Sequence, residues 1–298
     1  VLGPRFKFHH LDKVEGFKAG ALNHVLRLTD PAAEIVAVID SDYVVRPDWL
    51  ANLVPYFADP KIGIVQAPQD YRDGNESAFK AMCRWEYAGF FEIGMVHRNE
   101  RNAIIQHGTM TLVRRAALDA LGGWAEWCIC GGAGRGLRMM EAGFETAYVN
   151  QSYGQGLMPD TYTAYQKQRF RWAYGAVQNL KRHWRALVGL APSKLTGAQR
   201  YHFIAGWAPW FADALNTAVT ALALVWTVGL VTLPKVFEFP LRFFLCASLG
   251  FFALKVGKTL WLYAARVKAT PGQNLAAALA GLSLTHTIGK AIFSGLFT

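Results

Sequence analysis

Asp40-Ser41-Asp42 is the first place in this 298-residue sequence where residue type and spacing could do chemistry. Two carboxylates one residue apart at a strand end can both turn toward one hard cation. Mg²⁺ or Mn²⁺ prefers oxygen ligands and fills its remaining positions with waters or phosphate oxygens. By spacing alone such a pair is usually a solvated turn; its position after an apolar run is what raises the metal reading. A second concentration lies at Gln168-Arg169-Phe170-Arg171-Trp172. Arginine's planar fork suits phosphate oxygens, and an indole offers a flat apolar face to a sugar ring. From residue 166 to 200 there are eight basic side chains (Lys167, Arg169, Arg171, Lys181, Arg182, Arg185, Lys194, Arg200) and no acidic one. That stretch would also suit anionic lipid headgroups. Of the four cysteines, Cys128-Ile129-Cys130 is spaced too closely for a zinc site and has no second pair, so all four read as reduced thiols.

These residues need elements to position them. Residues 33–39 form a β-branched apolar run that predicts a strand buried on both faces, delivering Asp40 and Asp42 at its carboxyl end. Pro47-Asp48 opens a helical pattern over residues 49–57, and Ile62-Gly63-Ile64-Val65-Gln66 predicts a second strand. This rhythm predicts a right-handed crossover in an α/β sheet, with ligands at the carboxyl ends of the strands. Residues 161–180 read as a helix that carries the basic, tryptophan-bearing motif.

The last third differs in kind. Hydrophobic residues make up 52% of the chain and charged ones only 17%, and the net charge is +10. Residues 201–298 hold just seven basic side chains (Lys235, Arg242, Lys255, Lys258, Arg266, Lys268, Lys290) and two acidic ones (Asp213, Glu238). Residues 214–233 carry no charge over 20 positions, the length that crosses a bilayer. A second apolar run from residue 243 is interrupted by Lys255 and Lys258, and a third covers residues 269–289; each predicts a spanning or interfacial helix. A nucleic-acid partner would explain the positive charge but not these runs, so none is expected. Val1-Leu2-Gly3-Pro4-Arg5 has neither methionine nor an apolar segment, which predicts a start further upstream.

Several short motifs follow one another in a specific order: Lys18-Ala19-Gly20-Ala21-Leu22-Asn23, Asp40-Ser41-Asp42, Val65-Gln66-Ala67-Pro68-Gln69, His107-Gly108-Thr109, Gly122-Gly123-Trp124, Gly136-Leu137-Arg138 and Gln168-Arg169-Phe170-Arg171-Trp172. In this the sequence resembles the processive, membrane-embedded members of glycosyltransferase family 2, the cellulose-synthase-like β-glucan synthases. The resemblance covers nearly the whole chain. It implies an α/β fold of GT-A type, an N-terminally truncated nucleotide-sugar domain over residues 1–160. Basic interfacial helices over residues 161–213 and transmembrane or interfacial helices over residues 214–298 would follow.

The resemblance further implies that Asp40 and Asp42 hold Mg²⁺ or Mn²⁺ against the diphosphate of a nucleotide sugar, UDP-glucose. Lys18 and Asn23 would line the nucleotide side, and His107, Gly108 and Thr109 would contact substrate. Gln168, Arg171 and Trp172 would close over the pyrophosphate and the acceptor end. A glycan acceptor and the lipid bilayer are the implied partners, in a multi-pass protein of the inner membrane with its catalytic domain in the cytosol. The reaction would be inverting transfer onto a growing β-glucan or exopolysaccharide.

One departure stands out. Where the family reads Thr-Glu-Asp and the aspartate is the base, this chain has Cys130-Gly131-Gly132. The catalytic residue is therefore unassigned, and three glycines (Gly131, Gly132, Gly134) should weaken the helix expected there by roughly 1 kcal/mol each. The alternative is a catalytically impaired relative that acts as a binding or assembly subunit.

Overall fold

The order of the strands brings the distant motifs together. The computed structural model describes residue 3 and residues 6–236, 241–267 and 269–298; Val1, Leu2, Pro4 and Arg5 of the opening segment lie outside the described residues, as do Glu238 and Lys268. The elements run α1 (Phe17–Leu28), β1 (Ile35–Val38), β2 (Val44–Val45), α2 (Trp49–Leu53), β3 (Ile62–Gln66) and β4 (Asp70–Tyr71). Next come α3 (Ala78–Gly89), a π-helical segment (Phe90–Met95), α4 (Val96–Asn99), β5 (Thr111–Arg114), α5 (Arg115–Ala120), α6 (Gly131–Glu141), β6 (Glu145–Tyr148) and β7 (Gly154–Gly156). Five helices complete the chain: α7 (Tyr162–Leu187), α8 (Gly197–Thr232), α9 (Leu241–Arg266), α10 (Pro271–Ser283) and α11 (Thr285–Phe297).

The main sheet has the order β1-β5-β3-β6, and β2-β7-β4 forms a smaller one. β1 and β3 run in the same direction, as a strand–helix–strand unit requires, but β5 lies between them, antiparallel to both. The expectation of a strand buried on both faces is corrected for β1. Val36 and Val38 pack with Leu22 and Leu26 of α1, whereas Ala37 and Ile39 are exposed. The reason is position: among the described residues β1 pairs only with β5, at the sheet's outer edge.

Pairing sets the geometry of the site. Thr111 at the start of β5 lies opposite Val38 on one side and Gln66 on the other. The carboxyl end of β1, leading to Asp40, therefore meets the turn His107-Gly108-Thr109 that leads into β5.

Helix α6 forms despite its glycines. Gly131 and Gly132 open its first turn, and Gly134 and Gly136 further in cost roughly 1 kcal/mol each in intrinsic propensity. Leu137, Met139 and Met140 are buried in return, each worth roughly 1.5–3 kcal/mol, so tertiary packing outweighs propensity.

Helix α7 begins where the hydroxyl of Thr161 accepts the Ala164 N–H (3.2 Å), and α8 starts with a Thr196–Gln199 capping box. α8 runs 36 residues without a break, with mean hydropathy 1.8 in its apolar window, and Leu245–Arg266 of α9 reaches 1.3. Both are long and apolar enough to cross a membrane; α10 and α11 meet at a 40° bend and would make a third, broken span.

Lys255 of α9 pairs with Asp213 of α8 and donates to the Thr285 hydroxyl (3.0 Å) at the start of α11, so these two opposite charges are matched inside the apolar bundle. Tyr263 of α9 reaches the Trp85 and Glu86 carbonyls of α3 (2.7 and 2.8 Å), tying the helical region to the floor of the site.

Candidate active site

A cavity of about 590 Å³ opens at the β1–β5 junction, and α7, α8 and the α10–α11 bend roof it. Lys18, Asp40, Asp42, His107, Gly108, Gln168, Arg171 and Trp172 all line it, as does Gly132. Residues more than a hundred positions apart thus share one concave wall. Asn23 and Thr109 do not line it; both support it from behind. The Asn23 amide donates to the Trp124 carbonyl (3.0 Å), and its oxygen accepts the Trp124 N–H (2.7 Å), clamping the Gly122-Gly123-Trp124 turn to α1. At Gly123 (φ +82°) a side chain would collide with the Asn23 oxygen, which accounts for glycine there. The Thr109 hydroxyl accepts the Asp40 N–H (2.9 Å) and so fixes the start of the aspartate turn.

Asp40 pairs with Lys18, whose ammonium also donates to the Gly108 carbonyl (2.8 Å). One oxygen of Asp42 accepts the Leu157 N–H (3.0 Å) beside β7, and the residue lines the cavity. Two carboxylates with unused oxygens are a hard donor set of the kind Mg²⁺ or Mn²⁺ accepts, provided that substrate oxygens and waters complete the shell. No group of three His, Cys, Asp or Glu side chains that could hold a metal occurs among the described residues. Asp40 and Asp42 therefore fit a metal shared with a phosphate-bearing ligand rather than one caged by protein alone.

Beneath Trp172 lies a buried polar pair that sequence reasoning passed over. The Arg169 guanidinium pairs with Glu86, which also accepts the Tyr165 hydroxyl (2.9 Å). Its centre sits 4.3 Å from the Trp172 ring, 4.7 Å from Tyr87 and 4.9 Å from Tyr165. Arg169 thus holds the indole from below, while Arg171, two residues on, is exposed and free to meet a ligand. The π-helical segment adds Phe90 and Phe91, packed 4.8 and 5.1 Å from His107. Gln66 is a second missed support: its side-chain oxygen accepts the His107 N–H (3.1 Å), and its amide bonds the Thr109 carbonyl (2.9 Å). Gln66 and Arg169 fall within the sequence motifs, yet a buried polar residue looks the same there as an exposed one.

His107 is half-buried; Nδ1 meets the Tyr87 hydroxyl (2.9 Å), and the buried Nε2 has no protein partner among the described residues. Burial, then Arg169 and Arg98, push its pKa down to about 3, so the ring is neutral. The unfolded chain takes up this proton as pH falls through about 6.5, while the native state resists until about 3. The contribution to stability is present above about 6.5 and is lost on acidification toward 3. His107→Gln should therefore flatten the fall in unfolding midpoint between pH 7 and pH 4; an unchanged slope would show that His107 does not govern it.

Relatives place this geometry in a class. A mannosyltransferase from Pyrobaculum calidifontis, solved with GDP-Man and Mn²⁺, shares the fold with TM-score 0.52 and 21% identity, over 89% of this chain and 66% of its own. The architecture is GT-A-like, followed by C-terminal helices. The chain belongs to the family described as glycosyltransferase like family 2, whose model matches residues 9–175.

A probable glucomannan 4-beta-mannosyltransferase of Oryza sativa subsp. japonica is 27% identical over 197 residues, 64% of this chain and 36% of its own length. Cellulose synthase 2 of Novacetimonas hansenii is 29% identical over 169 residues, 55% of this chain and 10% of its own. The chain spans about a third of the plant relative and a tenth of the bacterial one. Within that family the chain is thus similar to relatives named as a glucomannan mannosyltransferase and a cellulose synthase.

Proposed function

We propose that this chain transfers a sugar from a nucleotide-sugar donor to a β-glycan acceptor at a membrane, and that residue 132 limits its rate. The observation that carries the reading is the convergence of Asp40 and Asp42 with Gln168, Arg171 and Trp172 on one cavity. In the proposed complex Asp40 and Asp42 hold Mg²⁺ or Mn²⁺, which would supply positive charge to the leaving diphosphate. Lys18 and Arg171 add fixed cations on the same wall, where negative charge develops as the anomeric carbon–oxygen bond breaks. Trp172 offers its face to a sugar ring, and His107 Nε2, neutral and without a partner among the described residues, is placed to exchange a hydrogen bond with a ligand hydroxyl, its direction set by the ring tautomer.

The acceptor hydroxyl must lose a proton as it attacks, and a positioned base contributes about 10²–10⁴ to such a step. Gly132 offers none. Among the described residues Glu86 is the one cavity carboxylate besides the aspartates, and it is engaged by Arg169 and Tyr165. Donor binding should therefore be sound and transfer slow. Gly132 also favours a second reading, a binding or assembly subunit that retains the donor site.

UDP-glucose is the proposed donor. Membranes containing the chain, incubated with labelled UDP-glucose or GDP-mannose and Mn²⁺ and then digested with β-glycan-specific hydrolases, test both the reaction and the sugar. Slow label incorporation from UDP-glucose is expected. Faster incorporation from GDP-mannose would transfer the reading to mannose, and binding of UDP without any transfer would favour the subunit.

For the helices the proposal is a multi-pass inner-membrane protein, with residues 1–160 and the basic stretch of residues 166–200 in the cytosol by the positive-inside rule. With Cys246 replaced by serine, Lys194→Cys in intact cells should stay unlabelled by an impermeant thiol reagent and Lys235→Cys should react. Labelling at position 194 from outside would reverse the topology.

A further inference from the structure

Arg135 is the most deeply buried charge in the cavity wall: 1% exposed, with no carboxylate bonded to it. Its Nε donates to the Gln106 side-chain oxygen (3.0 Å), and its guanidinium centre lies 5.0 Å from the Trp124 ring. Those contacts satisfy one edge and one face. Nη1 is buried with no partner among the described residues. An unpaired buried donor on a cation costs more than an ordinary lost hydrogen bond, so this end is an unsatisfied charged donor in the cavity lining. Burial, reinforced by Arg138 nearby, pulls its pKa down to about 9, so it is still charged at neutral pH.

The remaining cavity charges sharpen the contrast. Lys18 is matched by Asp40 and Arg169 by Glu86, whereas the buried Arg135, like the exposed Arg171, has no carboxylate partner among the described residues. Arg135 also lies one helical turn beyond Gly132 on α6, so both residues share a face and a stretch of wall.

We propose that Arg135 binds an anionic oxygen group of the ligand, either a donor phosphate or a carboxylate on an acidic sugar of the acceptor. This rests on the sugar-transfer reading only for the identity of the two sources, since the recognition itself is a buried guanidinium meeting an anion. A carboxylate source would make the cavity selective for a uronate-bearing glycan.

The test is calorimetric titration of the full chain in detergent with pyrophosphate and, separately, with glucuronate, for the parent, Arg135→Met and Arg135→Lys. Donor sugar is omitted, so failure here is separable from failure of the transferase reading, which labelled transfer decides. At least one anion should bind about tenfold or more weakly to Arg135→Met, with Arg135→Lys intermediate because it keeps the charge but not the fork. A loss confined to pyrophosphate assigns the phosphate, and a loss confined to glucuronate assigns the acceptor carboxylate.

Thermal unfolding without ligand guards against a merely structural role. Arg135→Met removes an unpaired buried charge and should unfold at the same or a higher temperature. Equal anion affinity in parent and Arg135→Met, or no binding of either anion by the parent, would overturn the proposal.

Discussion

Placing Glu and Asp at residues 131 and 132 should raise sugar transfer by about 10²–10⁴ over the parent, the usual contribution of a positioned base. Sterically the two positions differ. At Gly131 the nearest neighbour of an added Cβ is Ala19 at 3.5 Å, an ordinary contact. At Gly132 it would meet the His107 carbonyl carbon at 3.0 Å, the Gly108 nitrogen at 3.1 Å and the Gln106 oxygen at 3.2 Å. The turn of residues 106–108 must therefore yield by a few tenths of an ångström against its tether to Gln66. The gain should sit at the lower end of that range where the turn resists.

Alanine at both positions is the decisive control. It replaces the two glycines that open α6 and adds the same Cβ atoms as the acidic pair, without adding a proton acceptor. The alanine variant meets the same contacts at residue 132 and should be no faster than the parent. Equal gains in the alanine and acidic variants would show that helix repair is what the enzyme lacked, and full activity in the parent would show that another group serves as base.

Much of this arrangement was legible in the sequence. The run Ile62-Gly63-Ile64-Val65-Gln66 is β3, Thr161 caps the helix that carries Trp172, and Asp40 and Asp42 stand at a strand's carboxyl end on a cavity wall. Local patterns encode these directly. The insertion of β5 between β1 and β3 was not legible, because Thr111–Arg114 pairs with strands nearly fifty or more residues upstream and pairing partners leave no local mark.

The buried supports were hidden for a related reason. Asn23, Thr109, Gln66 and the Glu86–Arg169 pair are polar residues whose role depends on burial, which only the tertiary fold decides. Glycine content argued against α6, yet three buried apolar side chains outweigh it. The roof of the cavity includes Trp207, Trp210 and Ile288, and apolar residues that face a site look in sequence like residues that face lipid.

The central claim is that Asp40 and Asp42 bind a nucleoside diphosphate through a divalent ion, and Asp42→Asn tests it most directly. The amide keeps an oxygen that can accept the Leu157 N–H, now 3.0 Å from the carboxylate, so the local backbone has reason to stay in place. What disappears is the negative charge facing the cavity. Groups behind a metal ligand already cost 10–100-fold in affinity when lost, so removing a ligand charge should exceed about a hundredfold. The measurement is calorimetric titration of UDP into parent and Asp42→Asn, each with and without Mn²⁺. The account predicts Mn²⁺-dependent binding in the parent and none in the variant; equal Mn²⁺-dependent affinity in both would contradict it.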